Sequence, residues 1–368
     1  RVCFYFGKNA FSILTFSMIA GNCVAAIGAL RFSCVASAAH FLFIGGKENM
    51  AENQHLTGFP SIDRPWLKYY SESITDLPMP EMTMYQYIWE NNKDRLTNIA
   101  LRYYGTKITY GDLFNNIKKA ANAFYSLGIR SGDIVTIMSM HTPETIYTIY
   151  GLNYIGAIAN IVYLTLTEQE LIDRLKNTNS KLLLIFEPVA EKAIAISSTI
   201  SIPVIVLPLA ASMSVFGKLA YQIHKQSKDL PLFSYFSFLR EQLCEAPISL
   251  IHDVPAIIVY TSGTTGEPKG VVLSNDALNA HSFQEIHANF RFERKKSFLQ
   301  VIPPFIGFGI THIHLALNTG VDSTLWIDLK PESVAKAFFK AENRHPSSGS
   351  ESIEIIQFNP YHCGEAAN

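Results

Sequence analysis

Two stretches, Leu182 to Ile185 (LLLI) and Val204 to Leu207 (VIVL), are apolar at every position. A strand with one face in water alternates apolar and polar residues, whereas a continuously apolar strand has to be covered on both faces. These runs therefore belong in a sheet with helices on either side. Segments of helical periodicity alternate with further short apolar runs around them, which is the pattern of βαβ units and a largely parallel sheet. The expected fold class is α/β.

Residues 64–98 read as a helical lead-in that Pro78 and Pro80 break and that Met84 to Asn92 restarts. Ala100 to Tyr104 and Lys107 to Tyr110 form a short strand pair around Gly105. Thr109 is placed to cap a helix over Tyr110 to Leu127, in which Leu113, Ile117, Ala120, Ala121 and Phe124 recur at three and four and which Gly128 closes. Asp133 to Met140 reads as a buried strand, and Pro143 suits the first position of a helix that runs to about Ile155. The apolar run Gly156 to Tyr163 follows, then a helix from Thr167 to Asn177 with Thr167 and Glu170 in capping-box spacing. Lys181 to Phe186 and Pro203 to Leu207 are strands around a helix over Val189 to Ser197. The pattern is lost over 209–250, where a short helix from Phe216 to Lys225 and a loop over the sheet are expected.

Composition narrows the function classes. Of 368 residues, 48% are hydrophobic and 17% charged, enough apolar content for a sizeable core and too much for disorder along the whole chain. Lys plus Arg is 30 against 31 for Asp plus Glu, so the chain lacks the basic excess of a nucleic-acid footprint and no nucleic-acid partner is expected. Five cysteines are too few and too scattered for a disulfide scaffold, and no pair has zinc-ligand spacing. The mean hydropathy of +0.13 is high, and the excess is concentrated at the N-terminus. From Asn9 to Gly46 the only formal charge is Arg31, and Phe11 to Leu30 is uncharged and about long enough to cross a bilayer. Three readings of residues 1–49 stand side by side: a transmembrane helix over 11–30, a signal peptide, or a translated upstream region with initiation at Met50. The chain starts with Arg1 rather than Met, so an incomplete N-terminus is expected. A cytoplasmic location is expected, with membrane association if residues 11–30 span.

The most informative segment is Pro255 to Ser274 (PAIIVYTSGTTGEPKGVVLS), which reads as two strands, Ala256 to Tyr260 and Gly270 to Ser274, around a loop. Gly263 and Gly266 allow close backbone approach to a ligand, and a curled loop can aim its N–H groups at phosphate oxygens. Thr261, Ser262, Thr264 and Thr265 add hydroxyl donors, Lys269 adds a positive charge, and Pro268 stiffens the turn. It is not a Walker A loop, because Lys269 precedes Gly270 and a strand rather than a Ser or Thr and a helix. No G-x-G-x-x-G dinucleotide fingerprint is present.

Tyr260 to Gly270 (YTSGTTGEPKG) resembles the signature loop of the AMP-forming adenylating superfamily, which holds acyl-CoA synthetases, peptide-synthetase adenylation domains and firefly luciferase. Weaker marks agree in order: Ile108 to Leu113, Asp133 to Met140 with Pro143 and Glu144, Tyr154 to Ala159, and Pro303 to Gly309 (PPFIGFG). The resemblance covers about residues 60 to 340 and is greatest to acyl-CoA synthetases. It implies a large N-terminal domain built of βα subdomains, with residues 60–250 supplying much of one α/β unit and 250–340 beginning the next. It also implies ATP-dependent activation of a carboxylic acid, by preference a fatty acid, to acyl-AMP and then to the coenzyme A thioester. ATP, Mg²⁺ and coenzyme A would be the co-substrates. Thr261, Ser262, Gly263, Thr264, Thr265, Gly266 and Lys269 would hold the ATP phosphates, with Lys269 neutralising pyrophosphate.

The chain departs from the pattern in three places. Ile306 stands where the family often carries His, which leaves the acid class open. His312 and His314, at i and i+2, could share a strand face as metal ligands, but with no third ligand nearby structural or pocket-lining roles are expected. The family's later "YGxTE"-like segment, its ribose-binding Asp and its mobile C-terminal domain with a catalytic Lys are not found. Residues 50–340 are therefore expected to form an incomplete adenylating domain, with no catalytic residue of its own and no turnover alone, and 341–368 an unrelated tail. Adenylation of an amino or aryl acid for a carrier protein, and a non-catalytic ATP-binding chain, are the alternatives.

Overall fold

The computed structural model describes residues 4–6, 10–12, 57–65, 77–224, 233–240, 244–261, 268–287 and 297–342. The chain divides into two units, residues 1–78 with 356–368 and residues 79–355. In the first unit, β1 (Phe4–Phe6) and β2 (Ala10–Ser12) pair antiparallel. The single turn α1 (Pro60–Asp63) has its Asp63 carboxylate accepting the backbone N–H groups of Thr57 and Gly58, each at 2.9 Å. Beyond Ser12 the apolar stretch 11–30 lies outside the described residues, as does the expected tail beyond Glu342. No helix among the described residues is long and apolar enough to cross a membrane.

The second unit holds two sheets. The larger has seven strands in the order β11 (Lys269–Ser274), β10 (Pro255–Thr261), β6 (Ile158–Ile161), β5 (Ile134–Met138), β7 (Leu182–Phe186), β8 (Val204–Leu207) and β9 (Phe233–Ser234). All are parallel except the edge strand β11, which runs back against β10. The smaller sheet has four strands in the order β12 (Ser297–Gln300), β13 (Asp322–Leu325), β3 (Ile99–Tyr103) and β4 (Thr106–Thr109). The large sheet takes five strands from before position 250 and two from after it, and the small sheet takes two from each side. Position 250 is therefore not a boundary between sheets. The reason is pairing: β10 completes the ladder with β6, and β13 fits between β12 and β3.

Strand β7 shows why the large sheet needs cover on both sides. Leu182 and Leu184 enter one core, and Leu183 and Ile185 enter a second one on the opposite face, following the two-residue strand period. β10 divides in the same way, Ile257 and Val259 to the first core and Ile258 and Tyr260 to the second. The first core is closed by α2 (Met84–Asn92), α3 (Tyr110–Ser126), α4 (Pro143–Tyr154) and α10 (Gly307–Thr319), and it extends to Leu101 and Tyr103 of the small sheet. The second is closed by α5 (Glu168–Asn177) and α6 (Lys192–Thr199). Every residue of α4 from Pro143 to Asn153 is buried, so this helix has no solvent face.

Local signals place the helix starts. Thr109 accepts from the Asp112 N–H at 3.1 Å while Asp112 accepts from the Thr109 N–H at 3.2 Å, and Thr167 and Glu170 form the same reciprocal pair. The helix expected over Val189 to Ser197 begins later, at Lys192, because a 3₁₀ turn over Glu187–Val189 with Pro188 comes first. The 209–250 region holds α7 (Val215–His224) as expected, but also β9, which extends the large sheet, and α8 (Tyr235–Arg240). The remaining helices are α9 (Asn275–His287) and α11 (Pro331–Glu342).

Residues 208–214 form a strap that leads into α7 and is tied at several points. Leu209 N–H donates to Glu187 at 3.1 Å, Tyr103 hydroxyl donates to the Leu209 carbonyl at 2.8 Å, and Ser212 hydroxyl donates to Glu144 at 2.5 Å. Glu144 is buried on α4, and burial pushes its carboxyl from the ordinary 4.5 up to about 7 against the lowering effect of the Ser212 hydrogen bond. A carboxyl whose pKa is raised by folding stabilises the native state where it is protonated and loses that contribution as pH rises from about 4.5 through about 7. Buried His141, His312 and His314 act oppositely: burial lowers their pKa values to about 4, 4 and 3, so they lower stability as pH falls below about 6.5. The Glu144 part is therefore read as a difference. Denaturant unfolding of the wild type and Glu144→Gln across pH 4.5 to 8 is expected to show the variant gaining relative to the wild type with rising pH, by roughly 3 kcal/mol at most. A pH-independent difference would refute this account.

Candidate functional site

The C-terminal ends of the parallel strands gather the residues around the loop that the sequence singles out. Ligands of open α/β sheets bind at this edge. β10 ends at Thr261 and β11 begins at Lys269, and these two residues are direct partners across the antiparallel ladder, next to the Tyr260–Gly270 pair. Of the seven residues proposed for phosphate binding, Thr261 and Lys269 are therefore brought together at the mouth of the loop. Ser262, Gly263, Thr264, Thr265 and Gly266 lie outside the described residues. Lys269 is exposed, and among the described residues it makes no ion pair, so its positive charge is available to an anion.

Two side chains that sequence reasoning missed brace this hairpin. Arg174, in the last turn of α5, lays its guanidinium over the Tyr260 ring at 4.5 Å from the centroid and donates to the Pro268 carbonyl at 3.2 Å. It grips the strand entering the loop and the residue leaving it. A planar guanidinium suits this double contact, whereas an ammonium would not stack in the same way. Tyr163, just past β6, donates its hydroxyl to the Tyr260 carbonyl at 2.9 Å. Its ring also packs on Phe305, with centroids 5.1 Å apart. Tyr163 thus links the hairpin to the Pro303–Gly309 segment. Nothing near Arg174 or Tyr163 in sequence marks them; their role comes from partners about a hundred positions away.

The Pro303–Gly309 segment runs into α10 at a place where only glycine fits. A Cβ on Gly309 would lie 2.0 Å from the Pro303 carbonyl oxygen. Gln300, at the end of β12, holds the same turn by donating to the Ile302 carbonyl at 2.8 Å and to the Gly309 carbonyl at 3.3 Å. Ile306 precedes α10 as its N-cap residue, without a side-chain cap.

His312 and His314 do not share a strand face. Both lie on α10, where positions two apart point in different directions. His312 donates from Nδ1 to the Phe308 carbonyl at 2.8 Å and packs among the rings of Phe308, Phe298 and His281. His314 lies in a buried network, with Nε2 2.8 Å from Asn279 Oδ1 and Nδ1 2.8 Å from the Tyr150 hydroxyl. Asn318 Nδ2 also lies 3.1 Å from Nε2 and donates to the His314 carbonyl at 3.0 Å. Among the described residues no group of three or more His, Cys, Asp or Glu is arranged to hold a metal ion. His141 sits at the end of β5 and bonds through Nε2 to the Trp326 carbonyl at 2.8 Å, tying the large sheet to the end of β13.

The family described as AMP-binding enzyme matches residues 88–345. The long-chain-fatty-acid–CoA ligase of Bacillus subtilis (strain 168) is 24% identical over 294 residues, which cover 75% of this chain and 52% of the relative. The 3-hydroxypropionyl-coenzyme A synthetase of Sulfurisphaera tokodaii is 30% identical over 173 residues, 45% of this chain and 26% of the relative. Among solved structures, the inhibitor-bound N-terminal domain of FACL13 from Mycobacterium tuberculosis superposes with a TM-score of 0.58 at 18% identity, covering 72% of this chain and 61% of that one. A benzoate CoA ligase from Burkholderia xenovorans LB400 gives 0.57 at 14% identity, covering 71% and 48%. The structural likeness is one of fold. The chain spans about half the length of the Bacillus subtilis relative.

Removing the Arg174 brace is expected to loosen the hairpin without unfolding the protein. Arg174→Ala and Arg174→Lys should leave the melting temperature within a few degrees of the wild type and speed tryptic cleavage after Lys269 several-fold, the Ala variant more than the Lys variant. Equal cleavage rates in all three proteins would show that the contact does not hold the loop.

Proposed function

Since this chain belongs to the AMP-binding enzyme family, we propose that it forms the ATP-binding portion of an AMP-forming acid–CoA ligase. One observation supports this reading most: a hairpin at the C-terminal edge of a parallel sheet, closed by Thr261 and Lys269 and braced from outside by Arg174 and Tyr163. An exposed Lys269 that makes no ion pair among the described residues, and a hydroxyl across the ladder, fit a polyphosphate.

In the reaction proposed for the whole protein, a carboxylate oxygen attacks the α-phosphorus of ATP and pyrophosphate leaves. The thiol of coenzyme A then attacks the acyl carbon of the acyl-AMP, forming the thioester as AMP departs. The chain's part is to hold the β- and γ-phosphates still while charge builds on the leaving pyrophosphate, a task suited to fixed donors and one cation. Mg²⁺, when bound with ATP, would share the neutralisation, held by phosphate oxygens and water. A fatty acid is the favoured acid, in keeping with the name of the Bacillus subtilis relative, a long-chain-fatty-acid–CoA ligase. A cytoplasmic location, where ATP and coenzyme A are supplied, belongs to the same proposal. Turnover by these 368 residues alone is not proposed.

Calorimetric titration of Mg·ATP into the chain tests the core of the reading. Saturable binding is expected, weakened about tenfold or more by Lys269→Ala, in line with the loss of one charge-assisted contact. A folded wild type that binds no ATP, or binds it as well without Lys269, would overturn the assignment. Repeating the melts with ATP and fatty, amino and aryl acids in turn reads the acid class: a further upward shift is expected with the fatty acids, and one confined to amino or aryl acids would move the assignment to carrier-protein adenylation.

A further inference from the structure

The first N–H groups of a helix have no partner within it, and a residue just before the helix or water usually takes them. In α2, Thr83 accepts the Gln86 N–H at 3.2 Å in the ordinary way. The two N–H groups before it go to asparagines from other helices. Met84 N–H donates to Asn275 Oδ1 at 3.0 Å, and Tyr85 N–H donates to Asn153 Oδ1 at 2.9 Å. Asn153 Nδ2 donates to the same Asn275 oxygen at 2.6 Å. Both asparagines are buried. A backbone N–H only donates, so the Met84 bond fixes which end of the Asn275 amide is the oxygen. Its Nδ2 then points the other way and donates to the Val254 carbonyl at 3.3 Å, where the Asn275 backbone N–H also donates at 3.3 Å. Val254 is the residue before β10 and Asn275 the residue after β11. One side chain therefore ties the two ends of the hairpin base to each other and to α2 and α4.

Strand β11 has few other constraints. It is the edge strand of its sheet, and Lys269, Gly270, Val271 and Val272 are all exposed. Leu273 packs against the first core and is only partly buried. A strand without a buried, alternating face has little of its own to fix its position. Arg174 and Tyr163 reach the Pro268 carbonyl and Tyr260, which brace the mouth of the hairpin and β10. At the base, a half-exposed contact between His252 Nδ1 and Asp276 Oδ1 at 2.8 Å adds to the Asn275 tie. The ladder also changes step there: Pro255 pairs with Ser274 but Ile257 pairs with Leu273, so Ala256 is an extra residue on β10. Such a bulge bends the strand and raises its twist. The base held at Asn275 is one residue out of step with the body of the ladder, and the bulge absorbs the difference.

We propose that Asn275 is a positioning residue for the phosphate site: by pinning the hairpin base it maintains the bulge at Ala256 and the direction in which β11 carries Lys269 to the edge of the sheet. Asn275 lies six residues from Lys269, roughly 20 Å along an extended strand, so it acts through the hairpin and touches no phosphate. The consequence for phosphate binding rests on the ATP-site reading; the hold on the hairpin does not. The rival role is a cap for α2 alone, which needs only the Asn275 oxygen.

Asn275→Asp in the full chain separates the two roles. The aspartate keeps an oxygen for Met84 and Asn153, and a carboxylate is favourable beside the N-termini of α2 and α9. It replaces the Nδ2 donor by an oxygen that repels the Val254 carbonyl. Hydrogen–deuterium exchange read by mass spectrometry should rise about threefold or more in peptides covering 269–274 and stay unchanged in α2, with the melting temperature within a few degrees of the wild type. Mg·ATP should bind about three- to tenfold more weakly, as for the loss of one hydrogen bond. Asn275→Ser, which also gives up the oxygen, should add a rise of exchange in α2 and a lower melting temperature, and it supplies the same hairpin readout if the Asp variant does not fold. The proposal is overturned if exchange in 269–274 matches the wild type, if it rises only in step with the rest of the chain, or if a wild type that binds Mg·ATP is matched in affinity by Asn275→Asp. A folded wild type that binds no Mg·ATP overturns the ATP-site reading instead, and the exchange pattern alone then decides whether Asn275 holds the hairpin.

Discussion

The structure depends on one requirement, that β7 and its neighbours be kept dry on both faces. Leu182 and Leu184 on one side and Leu183 and Ile185 on the other cannot be satisfied by a single layer of helices. α3 and α4 therefore pack on one face and α5 and α6 on the other. Parallel strands also need crossovers, and those from β5 to β6, β6 to β7 and β7 to β8 supply α4, α5 and α6. Once strands run the same way their C-terminal ends share one edge, and the β10–β11 hairpin is carried to that edge with them. The position of the candidate site is thus a by-product of how the core is buried.

Long-range side-chain contacts then stiffen what topology only brings near. Arg174 reaches from α5, Tyr163 from the end of β6 and Gln300 from β12, and each bonds to backbone rather than to another side chain. Backbone acceptors are indifferent to the identity of the residue that carries them. The brace therefore fixes the path of the chain on either side of the loop.

Much of the fold was legible in the sequence, for local reasons. Thr109 and Thr167 carry capping boxes, Pro143 opens α4, and the apolar runs mark β5, β7 and β8 at their observed positions within a residue or two. What failed was non-local. The division at residue 250 rested on sequence order, while the pairing of β13 with β3 rests on surface complementarity that no window of residues displays. The two histidines at 312 and 314 were read at strand spacing because H-x-H has no period of its own; the surrounding apolar residues on a helix decide the matter. The loop motif was conspicuous because its glycines and hydroxyls are contiguous, but Arg174 and Tyr163 are isolated residues whose meaning lies in distant partners.

The small sheet has a consequence for synthesis on the ribosome. β3 lies between β4 and β13, and its Arg102 pairs with Asp322, 220 residues further along. At translation rates of about 5–20 residues per second, β3 emerges roughly ten to forty seconds before the strand that covers its open edge. During that interval the hydrogen-bonding groups of β3 on the edge away from β4 have no final partner. A nascent chain built this way needs either a chaperone's protection or a slow approach to compactness, and any pause in translation between the two strands lengthens the exposure.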